Sequence, residues 1–232
     1  MTKLKMRWAS LAAAAGAAIG LLVVPNAAEA AAPFPGFALP FKAGQLVYSA
    51  GIHSDDGSTG VKNAIDFSPA DRTVRAAGDG VVHLQHCAGG DWVTIDHAGG
   101  WRTGYYHMEN ILVTDGQQVT TGTALGSTGN ALPCGGSSSG AHVHFTLWTL
   151  PDATTSSARS SDVRERVAAG NWDNVAYRQV SSSVASVYGE AVDGKTLGGW
   201  KFTAGAEQYS GTATRVSTGA VTQLPGRFRA TA

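Results

Sequence analysis

The stretch His142-Val143-His144-Phe145-Thr146-Leu147-Trp148 changes character from each residue to the next. Alternation of this kind reads as a β-strand. Strand side chains repeat every second residue, so the imidazoles of His142 and His144 leave the same face. Two imidazoles side by side suit one metal ligand and one acid–base group. The pair becomes a strong signal when joined to His53, Asp66 and His107.

Outward from this strand the texture is short apolar runs broken by glycines. Val81-Val82-His83-Leu84, Trp92-Val93-Thr94-Ile95 and residues 142–150 read as strands. Gly78-Asp79-Gly80, Ala88-Gly89-Gly90, His97-Ala98-Gly99-Gly100 and Asp115-Gly116 read as the turns between them. This spacing predicts a mainly β domain. Residues 31–45, with Pro33, Pro35 and Pro40, read as an extended lead-in. Residues 154–161 read as a surface loop, and residues 162–169 as one short helix with Ser161 as its cap. Residues 180–209 return to strand-like composition. Residues 46–232 are therefore expected to form one domain, with its motifs in 46–150 and its completion in 151–232.

The first thirty residues read as a signal peptide. Lys3, Lys5 and Arg7 precede an apolar stretch from 11 to 24, and Ala28-Glu29-Ala30 supplies small residues for cleavage after Ala30. The apolar stretch is short for a membrane anchor and is followed by Pro25. Secretion is expected, with no membrane attachment after cleavage. Without Lys3, Lys5, Arg7 and Glu29, 14 basic and 16 acidic residues remain, with no basic run. That balance excludes nucleic acid as a natural partner. Cys87 and Cys134 form an even pair in an exported chain, which suggests a disulfide. Their long separation and the lack of a C-x-x-C partner count against their holding a metal.

A catalytic zinc site takes three protein ligands and leaves a fourth position for water. His53, Asp66 and His144 are the candidate set. Asp66 sits in Ala64-Ile65-Asp66-Phe67, a short run whose apolar neighbours fix the direction of the carboxylate. The blocks Ala64-Ile65-Asp66-Phe67, Tyr105-Tyr106-His107-Met108 and Gly140-Ala141-His142-Val143-His144-Phe145 resemble the signatures of lysostaphin-type zinc metallopeptidases. The long His53-to-Asp66 loop, Gly100-Trp101 and Cys134-Gly135-Gly136-Ser137-Ser138 are similar to the beta-lytic and staphylolysin-like branch. Ser49-Ala50-Gly51-Ile52 departs from that branch's heavier glycine cluster, and neither a separate pro-domain nor a wall-binding module is evident.

The resemblance implies an antiparallel sheet with glycine-rich loops around an open groove, like a duplicated hybrid motif. It implies one Zn2+ held by His53, Asp66 and His144. His142 and His107 then flank the metal-bound water, His142 as general base and His107 as oxyanion donor. It also implies the Cys87–Cys134 bridge and a peptidoglycan or glycine-rich peptide as substrate, cut by a monomeric secreted enzyme. A biotinyl or lipoyl carrier fold, whose hairpin the glycine pattern also resembles, needs a modifiable lysine. No lysine occurs between Lys62 and Lys195. A metal-free relative would lack at least one of the five polar residues, and a lectin-like β-domain would carry the histidines incidentally. His83, His86 and His97 are expected to stay outside the metal centre.

Overall fold

The computed structural model describes residues 33–55, 57, 60–150, 166–167, 170–180 and 185–230. The leader, the 154–161 loop and the expected 162–169 helix, apart from Arg166 and Val167, lie outside them. The strands up to the His-x-His motif are β1 (Leu46–His53), β2 (Ala64–Pro69), β3 (Thr73–Arg75), β4 (Gly80–Cys87), β5 (Gly90–His97), β6 (Trp101–Tyr106), β7 (Met108–Glu109), β8 (Gln118–Val119), β9 (Ala124–Thr128) and β10 (Val143–Thr149). After them come β11 (Thr196–Leu197), β12 (Trp200–Ala204), β13 (Gly211–Arg215), β14 (Val221–Leu224) and β15 (Gly226–Arg229).

An eight-stranded antiparallel sheet in the order β15-β1-β2-β10-β6-β5-β4-β8 carries the molecule. Smaller sheets, β11-β12-β13-β14 and β3-β9-β7, flank it. β10 lies between β2 and β6 and is buried along nearly its whole length. One face of the large sheet presents Val143, Phe145, Leu147, Ile65, Phe67, Val93, Ile95 and Tyr105 to the main core. Phe37, Leu39 and Phe41 of the lead-in pack against that core, as do Phe202 and Phe228 of the C-terminal strands.

The opposite face is divided. Away from the histidines it is covered by Trp92, Tyr106, Trp148, Trp172, Val175 and Tyr177. Gly104 makes this cover possible, since a Cβ there would run into Thr146 Oγ1 and the Trp148 ring. The rest of this face, around His144 and Asp66, stays open to the cleft.

The 180–209 stretch is only partly strand. Residues Ala185–Tyr188 are helical, and strands begin at β11 and β12. The last strand, β15, pairs with β1 and extends the edge of the large sheet. Among the described residues no helix is long and apolar enough to cross a membrane.

Cys87, at the end of β4, is bonded to Cys134 in the loop before β10, with the two Cα atoms 5.1 Å apart. The bridge spans 47 residues, and loop-closure entropy for that length is worth about 4 kcal/mol. Reduction is therefore expected to lower the urea midpoint clearly. An unchanged midpoint with both thiols titratable would refute a stabilising role.

Candidate metal centre and active site

His53 reaches the site through a β-bulge. Tyr48 pairs with Ser68 and Gly51 with Asp66, so the register between β1 and β2 slips around residues 49 to 51. Strand side chains alternate between faces, so without this extra residue His53 would turn into the core. Gly51 has φ of +105°, and a Cβ there would meet the Tyr209 and Ser210 backbone. A residue with a side chain is excluded on both counts.

The His53 ring is held on two sides. Its Nδ1 donates to the Ser54 carbonyl at 2.7 Å. The ring stacks on Tyr209 with centroids 4.2 Å apart. Its Nε2 is thus left as a bare lone pair. That atom is buried without a hydrogen-bond donor, yet it lies 3.1 Å from Asp66 Oδ1.

Asp66 and His144 face each other across β2 and β10 in direct register. His144 Nδ1 is 3.1 Å from Asp66 Oδ1, and its Nε2 is 2.9 Å from Asp55 Oδ1. Burial alone would raise the Asp66 pKa, but the adjacent imidazoles of His53 and His144 hold it well below the usual carboxylate range. Burial likewise would lower His144, and the hydrogen bonds to Asp55 and Asp66 overcome it, raising its pKa to about 9. Without an ion, a proton supplies the positive charge that these carboxylates require.

His107 and His142 stand beside this trio. Alternation would send His107 away from Tyr106, to the core side. Its φ of +63° breaks the strand, and the two rings lie 4.8 Å apart instead. A left-handed backbone is uncommon outside glycine and is often found at functional positions. The rings of His107 and His142 are 4.6 Å apart, and His142 Nε2 is 3.6 Å from Asp66 Oδ1. The Nδ1 of His107 points at the Ala131 carbonyl at 2.9 Å, and that of His142 at the Gly140 carbonyl at 2.7 Å. A carbonyl can only accept, so each Nδ1 carries the hydrogen, and each neutral ring keeps Nε2 as an acceptor. Burial, followed by the charges of His144 and His142, lowers the His107 pKa to about 3.

The donor set fits a divalent metal ion. His53, Asp66 and His144 each offer an atom, all within 4.8 Å of one another. The two 3.1 Å separations about Asp66 Oδ1 are near the edge of a tetrahedron with ~2.0–2.1 Å bonds, roughly 3.3 Å. Lone pairs facing one another at this range repel unless a cation sits among them. Two imidazole nitrogens and one carboxylate oxygen match zinc in a catalytic site.

All five residues expected from the sequence line one cleft of about 690 Å³. Asp55, Tyr177 and Tyr209 line it too and were not expected. Asp55 is one of two adjacent aspartates in a polar loop, and Tyr177 and Tyr209 belong to no motif. The other histidines lie elsewhere. His83 pairs with Asp96 at 3.2 Å and His86 with Asp91 at 2.7 Å. His97 closes β5 rather than sitting in the glycine turn, and it bonds Asp79 O and Thr103 Oγ1, each at 2.8 Å.

Comparison with known proteins agrees with this geometry. The model of peptidase family M23 matches residues 60–160, a span that begins after His53 and Asp55. Protease LasA of Pseudomonas aeruginosa is 36% identical over 149 residues, covering 59% of this chain and 35% of LasA. Beta-lytic metalloendopeptidase of Lysobacter enzymogenes is 32% identical over 121 residues, covering 47% of this chain and 66% of that protein. Peptidoglycan DD-endopeptidase ShyA of Vibrio cholerae is 38% identical over 88 residues, 37% of this chain and 20% of ShyA. The chain thus spans about a third of LasA and a fifth of ShyA. Among solved structures, the deep-sea M23 metalloprotease pseudoalterin superimposes with a TM-score of 0.62 at 25% identity, covering 85% of this chain and 99% of pseudoalterin.

Proposed function

The chain belongs to peptidase family M23, and from that premise we propose that it is a secreted zinc endopeptidase that cuts peptide cross-links in bacterial cell-wall peptidoglycan, next to glycine or another small residue. Residues 46–232 act as one catalytic domain in a monomeric protein, released by cleavage after Ala30. The observation that carries the reading is the convergence of five side chains. Three bring potential ligand atoms within 4.8 Å of one another, and two more imidazoles stand beside them with Nδ1 committed to backbone carbonyls. A bound zinc ion would polarise water and the scissile carbonyl.

The chain's own part is positional. His53, Asp66 and His144 would hold the ion, and the stacked Tyr209 ring and the Ser54 carbonyl keep His53 from turning. His142 Nε2 takes the proton of the attacking water, and the resulting imidazolium returns it to the leaving amine. His107 Nε2 stands beside it as a second acceptor. The cleft has a sheet floor and glycine-bearing walls, where Gly136 lets a slim peptide backbone come close.

Mass spectrometry of fragments released from purified walls of several cross-link types tests the reading. Zinc-loaded protein is expected to release peptides with new termini at small residues, and a chelator to stop it. Fragments cut only in the glycan, or none at all, would overturn it.

A further inference from the structure

Beneath the candidate ligands lies a second carboxylate that the proposed chemistry does not use. The Asp55 side chain is 1% exposed, too buried to meet a substrate. It is nevertheless held from three sides. His144 Nε2 is 2.9 Å from Oδ1, the Tyr177 hydroxyl donates to the same oxygen at 2.8 Å, and Asn63 Nδ2 donates to Oδ2 at 3.2 Å. These partners come from three separate parts of the chain, and both Asp55 and Tyr177 fall outside the 60–160 family match.

We propose that Asp55 is a positioning residue, which holds His144 with Nε2 protonated and Nδ1 turned towards Asp66, and so sets the affinity of the centre for its divalent ion. The inference rests on the zinc reading given above. A neutral imidazole has two tautomers, and only the one with hydrogen on Nε2 offers a lone pair at Nδ1. A carboxylate at Nε2 selects that tautomer, fixes the ring plane and makes Nδ1 a stronger donor. Asp55 also changes the charge of the centre. One ligand carboxylate would leave a divalent ion with one net positive charge, and the second carboxylate cancels it.

The support behind Asp55 is rigid. Tyr177 stacks on Tyr106 with centroids 3.9 Å apart and rings 20° from parallel. The Tyr177 amide donates to the Cys134 carbonyl at 2.9 Å, and the Tyr106 hydroxyl accepts from the Cys134 amide at 2.9 Å. Cys134 is in turn bonded to Cys87. A continuous set of contacts therefore runs from the disulfide loop to the ring of a candidate metal ligand.

The test is zinc affinity of the full chain, measured by competition with a chromophoric chelator, together with the visible spectrum of the cobalt-substituted protein. Asp55→Ala is expected to weaken zinc binding about 100-fold and Asp55→Asn about 10-fold, the scale for losing the partner of a ligating histidine. The cobalt bands are expected to shift in both variants, which a purely structural role would not produce. Asp55→Asn keeps the side-chain shape and decides the matter if Asp55→Ala does not fold. Zinc affinities within twofold of the parent protein and unchanged cobalt bands would overturn the role of Asp55 alone. A parent protein that binds no zinc would bring down the zinc reading and this inference with it.

Discussion

His144→Ala is expected to yield a folded, disulfide-bonded protein that retains no stoichiometric zinc and hydrolyses no peptide bond. The ring of His144 is the hub of the centre, bonded to Asp66 through Nδ1 and to Asp55 through Nε2. Its loss leaves His53 and Asp66 as the two remaining donors, fewer than the three that a catalytic zinc takes from the protein. It also leaves Asp66 and Asp55 without the imidazole that both contact. Two measurements read the outcome, metal content by elemental analysis after dialysis and release of peptides from purified walls. Circular dichroism separates loss of the site from loss of the fold. His83→Ala is the matched control, because His83 pairs with Asp96 and Asp115 away from the cleft. Stoichiometric zinc together with full hydrolysis in His144→Ala would refute the ligand assignment.

The sequence makes the strands around this centre legible, because each follows a simple physical pattern. β10 alternates, β2 is a short apolar run with one carboxylate, and β4 and β5 are bounded by glycine turns. The cysteine pair is legible from its even number in a chain whose first thirty residues read as a signal peptide, and the bond joins those two residues. What escapes is whatever depends on backbone irregularity or on distant pairing. The bulge at residues 49 to 51 reverses the facing of His53, and the left-handed backbone of His107 reverses that ring. Parity counted along either strand would have sent each histidine to the core.

Asp55 and Tyr177 escape for another reason. They are 122 residues apart, and neither has neighbours of a recognisable type. Their meeting follows only once the disulfide loop is folded against β6. The strand-like composition of residues 180–209 misleads because Val, Ser and Tyr also occur in the helix Ala185–Tyr188, and composition alone is a weak guide to strand.

His142→Ala is expected to leave zinc bound and the fold intact while lowering turnover about 100-fold or more, the usual scale for losing an acid–base group. The metal should stay because all three candidate ligands remain, and His142 Nε2 comes no nearer than 3.6 Å to Asp66 Oδ1. The rate should fall because His142 Nε2 is a bare acceptor at the edge of the site, its hydrogen being committed to Gly140 O through Nδ1. His107→Ala provides the comparison. The sequence gives reason to expect His107 as a donor to the oxyanion, yet its Nδ1 hydrogen is committed to Ala131 O and its pKa is lowered to about 3. A resting imidazolium there would be lost as pH rises through that value, confining any activity that needed it to strong acid. At neutral pH His107 thus enters as an acceptor, and donates only after it has itself taken a proton. His107→Ala is then expected to lower turnover on the same scale. The double variant should fall by less than the product of the two losses, since both rings serve one proton path. Turnover of His142→Ala equal to the parent, with zinc still bound, would remove that ring from the reaction and leave His107 as the remaining candidate base.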